Sequence, residues 1–193
     1  MKKLKEISGM LLLLSFLSVN FASCTDDEEF IQPVVTVEDV DGSYSGKITT
    51  LQGDVKTEGA IEFTAKTDVI TIEKLPVKEI VYAVIEDDAK AEEALKALGN
   101  VAYNLKYTAA LTESKTGVEL KFAPEALTLT LAVDGAEKVA VVTFAAKQSG
   151  IFTTIPAGQV LNFELQAEKI TVDNADLTPY TTIKYQALTL KRK

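Results

Sequence analysis

Along most of the chain after Asp41, apolar and polar residues alternate with a period of two, the spacing of a strand with one buried and one wet face. Val101, Tyr103, Leu105, Tyr107, Ala109 and Leu111 take alternate positions, with Asn104, Lys106 and Thr108 between them. Val118, Leu120 and Phe122 oppose Glu119 and Lys121, and Leu127, Leu129, Leu131 and Val133 alternate with Thr128 and Thr130. Asp134-Gly135 then turns the chain into a further strand over 138–146, an ordinary hairpin signal. The same pattern predicts strands over 44–50, 59–65, 69–73, 160–167, 170–172 and 181–191. In the last of these the apolar residues change parity around Ala187 (Ile183 and Tyr185, then Leu188 and Leu190), which predicts a bulge.

One segment breaks the rhythm. After Pro76, the residues Val77, Ile80, Val81, Val84 and Ile85 follow the spacing of a helix face. Their β-branched side chains also permit a strand over 80–85, but the period favours helix. Asp88–Leu98, rich in Ala, Glu, Lys and Leu and followed by Gly99, predicts a second helix with a C-terminal cap. About nine antiparallel strands with a short helical insert predict a mainly β domain, a β-barrel or a β-sandwich, over residues 42–193. Residues 25–41, acidic at first and carrying Pro33, read as a tether whose valines at 34, 35 and 37 are able to dock near its end.

Composition narrows the chemistry. The 193 residues contain no His, no Trp, one Cys and a single Arg, Arg192. Without imidazole there is no His-based triad and no common zinc site. One cysteine allows neither an internal disulfide nor a thiolate cluster. A formal charge of −8 repels nucleic acid over most of the surface. No cofactor, no nucleic acid partner and no enzymatic activity are therefore expected.

The first residues carry the most specific signal. Lys2, Lys3 and Lys5 precede the apolar run 10–19, about 15 Å long as a helix and too short to span a bilayer. That combination predicts a signal peptide over 1–23. Phe21-Ala22-Ser23-Cys24 resembles a lipobox, with Phe21 in place of the usual Leu. The resemblance implies cleavage before Cys24, diacylglycerol on its sulfur and an acyl chain, palmitate for example, on its new amino terminus. Thr25-Asp26-Asp27-Glu28-Glu29 resembles the acidic export run of Bacteroidetes surface lipoproteins. The whole chain is similar to small Bacteroidetes cell-envelope lipoproteins of a domain family with no assigned function. This implies an outer-membrane protein that faces the cell surface, held to the membrane by lipid on Cys24. Loss of 1–23 removes Lys2, Lys3, Lys5 and Glu6, so the remaining chain is more acidic still, and the lipid, not the body, is expected to make the membrane contact. Gly42–Gly46 followed by a strand also resembles the opening of lipocalin-like barrels, without the Trp usual there.

Few constellations remain. Asp87-Asp88 and Glu92-Glu93 are adjacent acids, and Glu62, Glu119 and Glu164 lie within predicted strands, where hydrolysis of a glycoside would need two carboxylates facing each other. Helix starts and wet sheet faces are the more usual explanation of such acids. The turns 173–176 and 40–42 are rich in oxygen ligands, yet neither has the calcium loop's closing Glu. Tyr103 and Tyr107 share a strand face, and with Tyr44 and Tyr185 they are candidates to line a ligand cavity in a barrel mouth, or else core residues. The expectation that follows is a noncatalytic binding domain for a protein, a glycan or a small apolar ligand. A structural or assembly subunit of fimbrial type is the alternative, and a carboxylate-dependent hydrolase comes third.

Overall fold

The structure, a computed structural model, describes residues 33–192. The expected signal peptide, Cys24 and the start of the tether lie outside the described residues. The order is β1 (Gly42–Gln52), β2 (Val55–Lys66), β3 (Val69–Ile72), α1 (Lys78–Val84), α2 (Asp88–Leu98), β4 (Tyr103–Leu111), β5 (Gly117–Ala123), β6 (Leu127–Val133), β7 (Ala136–Ala145), β8 (Gly150–Ile155), β9 (Gly158–Val172), β10 (Ala175–Asp176) and β11 (Ile183–Lys191). All pair antiparallel in one sheet of eleven strands. The ring runs β11-β1-β2-β3-β4-β5-β8-β9, and β9 pairs again with β11, so the sheet closes into a barrel. Beyond the ring, β5 continues into β6 and β7 into β8 as the two arms of one long hairpin with its tip at Asp134-Gly135.

The expected bulge in β11 is absent, and this corrects the parity reading. Register along β11 is unbroken against both β1 and β9. Tyr185, Ala187 and Thr189 all face inward and are buried, so Leu188 and Leu190 point out. The bulge sits instead in β9, where Thr143 pairs with Lys169 but Phe144 with Ala167, leaving Glu168 as the extra residue. That slip puts Ala167 and Ile170 on the same face and joins the two strands expected over 160–172 into one. Both helices form where the period placed them, and α2 ends at Gly99.

Aromatic rings fill the interior. Tyr44 stacks on Phe63 with centroids 5.0 Å apart, Phe63 meets Phe163 edge-on at 5.6 Å, and Phe163 meets Phe122 at 5.7 Å. Tyr107 ends this column 6.5 Å from Phe122. A second group joins Tyr103 to Phe144 at 5.0 Å and Phe144 to Tyr185 at 6.2 Å. Such offset and edge contacts add to area burial because each ring's positive edge meets a negative face. Gly150 makes room for the first column: a Cβ there would overlap the Phe122 ring at 2.6 Å.

Both ends are shut. At the end where β1 begins, Val35 and Val40 are buried, so the tether joins the domain some residues before 42. Val35 N–H donates to the Lys115 carbonyl (3.1 Å), the Tyr44 hydroxyl to the Val40 carbonyl (2.5 Å), and Lys191 Nζ to the Asp39 carbonyl (2.6 Å). At the opposite end, Ile80, Val81 and Val84 of α1 are buried over the barrel. There α2 runs along β6, with Ala91 and Ala94 buried and Lys90 paired to Asp134 at the hairpin tip (2.6 Å). Asp87 caps α2 by accepting from Lys90 N–H at 3.0 Å.

Phe163 joins rings from opposite walls, so Phe163→Ala is expected to lower unfolding free energy by about 3–5 kcal/mol in urea titration. Leu188→Ser on the outer face should change it by less than about 0.5 kcal/mol. Equal losses would show that the aromatic column does not carry the core.

Candidate functional site

The four tyrosines singled out from the sequence all lie inside. Tyr44 and Tyr185 are 1% exposed, and Tyr103 and Tyr107 are 5% exposed. Their rings are linked through intervening phenylalanines, Tyr44 also feels the Tyr107 phenol directly, and neither of the two described clefts is lined by any of them. Desolvation, the largest cause, pushes Tyr103 and Tyr107 up to about 12, and Tyr44 and Tyr185 further. The Tyr103 hydroxyl donates to the Glu125 carbonyl at 2.8 Å. The Tyr185 hydroxyl finds no partner among the described residues. These phenols act as ring surface in the core.

The singled-out carboxylates scatter over the outside. Glu62 pairs with Arg192, Glu119 accepts from Ser149 Oγ (2.6 Å), and Glu164 accepts from Gln166 and Gln186 (2.8 Å each). Glu92 accepts from the Tyr82 hydroxyl at 2.9 Å, while Asp88 and Glu93 are exposed on α2. Each has a structural role on a wet face. The oxygen-rich turn after β9 is held by its own chain: Asp173 accepts from Val139 N–H at 2.9 Å, and Asp176 pairs with Lys169 at 2.7 Å. Asp41 accepts from Thr67 N–H at 3.3 Å. Among the described residues no three acidic or sulfur side chains gather as a metal set.

Two surface features remain. A cleft of about 300 Å³ opens between the α1–α2 junction and the hairpin tip, and its rim mixes charges of both signs: Glu86, Asp87, Lys90, Asp134 and Lys138. The other feature is apolar. Leu188 is 60% exposed and Leu190 44%. Register places Leu190 beside Val160 of β9, and Leu188 beside Asn162, which in turn pairs with Ile151 of β8. Val160 is covered although it faces outward and stands apart from the main core cluster. Leu188 and Leu190 therefore form an exposed apolar stripe on the barrel's outer wall, backed by the covered Val160 and the part-buried Ile151 on the two neighbouring strands. Lone exposed leucines are unremarkable, whereas a contiguous stripe is the usual mark of an interaction surface. Spacing alone hides this surface, because the parity change in β11 predicts a bulge that would turn both leucines inward. The small inward residues Ala187 and Thr189 were the signal that the alternation continues.

A family model for a domain of unknown function, DUF4840, matches residues 39–172. The chain belongs to the DUF4840 family. The match runs from the turn that closes one barrel end to the last residue of β9, so the ring-closing β11 lies beyond it. Comparison with curated proteins and with solved structures yields no match.

All six tyrosines are shifted upward, Tyr82 chiefly by its hydrogen bond to Glu92 and the others chiefly by burial. An unfolded chain ionises its phenols near 10. The folded protein therefore draws full benefit from them below pH 10 and loses it as pH rises through the raised values. Absorbance at 295 nm should show little phenolate in the native protein near pH 10, and its growth should coincide with loss of the circular dichroism signal. Reversible ionisation near 10 with the fold intact would contradict the buried assignment.

Proposed function

We propose that this chain is a lipid-anchored envelope protein of Bacteroidetes type, whose barrel binds a partner protein on its outer wall and catalyses nothing. The anchor rests on the short apolar run and on Cys24 in its lipobox-like setting, followed by an acidic stretch. The observation that carries the binding reading is the exposed apolar stripe of Leu188 and Leu190, backed by Val160 and Ile151, set on a barrel whose interior is already occupied. A small apolar ligand would have to displace rings packed 5.0–6.5 Å apart, centroid to centroid. A protein partner needs only to cover leucines that water already meets, and burying each is worth about 1.5–3 kcal/mol. Asn162 lies within that surface, between Leu188 and Ile151, and gives it a polar group. The outer membrane is the location this reading favours, and the acidic run after Cys24 favours its external face.

Two substitutions test the parts separately. Cys24→Ala should move the protein from the membrane pellet to the soluble fraction, and unchanged sedimentation would remove the anchor. Leu188→Glu with Leu190→Glu should leave sedimentation and the thermal transition unchanged. It should abolish co-purification of a specific envelope protein after cross-linking in cells. If the double variant retains its companions at wild-type yield, the outer stripe is not the binding surface.

A further inference from the structure

Among the described residues, β6 and the first half of β2 each leave an edge outside the sheet's pairing, and the fold treats the two differently. At β6, whose seven residues carry no charge, α2 runs alongside and covers the edge. At β2 nothing does. The strand pairs with β1 from Val55 to Ala65, but β3 pairs only with Thr64, Ala65 and Lys66. Val55 to Ala60 are exposed on both faces of the strand, with Val55 at 62%. An edge of that kind presents unpaired main-chain groups and is a template for another strand.

The turn decides which groups face out. Gly53 (φ 58°) is the first central residue of a two-residue loop, the place where glycine is required in a type II′ hairpin. Gln52 and Val55 close that loop as a hydrogen-bonded pair, so by alternation Thr57 and Gly59 also bond to β1. Lys56, Glu58 and Ala60 therefore direct their N–H and C=O groups away from the barrel. Their side chains lie on the outer face, where Glu58 is held by Lys56 at 2.8 Å and approached by Lys47 at 3.8 Å. Hydrogen bonding to Lys56 pulls the Glu58 carboxyl below its usual range, so it is charged at neutral pH.

We infer that the upper half of β2 pairs antiparallel with the same strand of a second copy of this chain, with Thr57 opposite Thr57 across a two-fold axis. That register sets Lys56 opposite the partner copy's Glu58 at both ends of the pairing. Opposite charges then meet on the wet face while the outward main-chain groups bond across the junction. Shifting the axis to Glu58 would set like carboxylates face to face, which is unfavourable. The charge order Lys-Thr-Glu thus both selects the register and makes the edge self-complementary. This pairing needs neither the lipid anchor nor the leucine stripe, so its failure would leave those readings untouched.

Thr57 falls at a non-hydrogen-bonded position, where side chains of opposed residues come closest. Thr57→Cys in the full chain, treated with mild oxidant in membranes, should give a disulfide-linked homodimer on a non-reducing gel. Wild type, which has Cys24 alone, and Lys47→Cys, one strand further in, should not. Adding Lys56→Glu to Thr57→Cys should cut the yield several-fold, and adding Glu58→Lys as well should restore it. Absence of the homodimer would overturn the inference, as would equal cross-linking of Lys47→Cys. A cross-link to a different protein would assign the edge to another partner, and indifference to Lys56→Glu would refute the register.

Discussion

Closure of the sheet depends on β9. Its first residues pair on one side with β8 and on the other with β11, and its later residues pair with β7 and β10. One strand of fifteen residues thus seals the ring and also carries the hairpin that rises beyond it. The two tasks need opposite things from the side-chain alternation. Inside the ring, Leu161, Phe163, Leu165 and Ala167 must face the core, whereas above it Ile170 must turn toward the helices. The extra residue Glu168 at the bulge reconciles them by shifting the parity once, and its ion pair with Lys147 holds the charge in solvent at the slip.

From closure follows the need to fill. A barrel of eight strands has an interior just wide enough for side chains, and here rings from several walls meet in it. Filling brings its own cost, since a ring with a hydroxyl must place that hydroxyl somewhere. Tyr44, Tyr103 and Tyr180 reach main-chain carbonyls at the rims. Tyr185, in the row of Thr50 on β1, does not, and its phenol is the group most deeply cut off from water. Its hydrophobic ring outweighs an unmade hydrogen bond there, a balance that holds only while the surrounding Phe144 and Tyr103 keep their places.

Much of this was legible from period alone. The strand over Tyr103–Leu111, the hairpin at Asp134-Gly135 and both helices are local patterns, and each was read where it lies. What was not legible is tertiary. Gly150–Ile155 has no clean alternation, because Gly150 is there to admit the Phe122 ring and Thr154 takes an inward position beside Phe152. In β11 two leucines on the wet face imitated a change of side, since apolar residues outside are assigned by default to the inside. The tyrosines were found as residues, but whether they line a cavity or fill one depends on phenylalanines from four other strands that no spacing along the chain connects.

The polarity of the barrel sets the two proposed contact surfaces apart. The described chain enters at Val35 beside the turn after β4, the same end at which β11 finishes and β1 begins. The leucine stripe lies on the half of β11 nearest that end, because Leu188 and Leu190 precede its last residue, Lys191. The bare half of β2 lies at the other end, next to the turn at Gly53 and the helical cap. The proposed partner and a second copy would thus meet the barrel near opposite ends. Both contacts are compatible on one molecule because β1 separates them, with polar residues such as Ser45, Lys47 and Thr49 on its outer face.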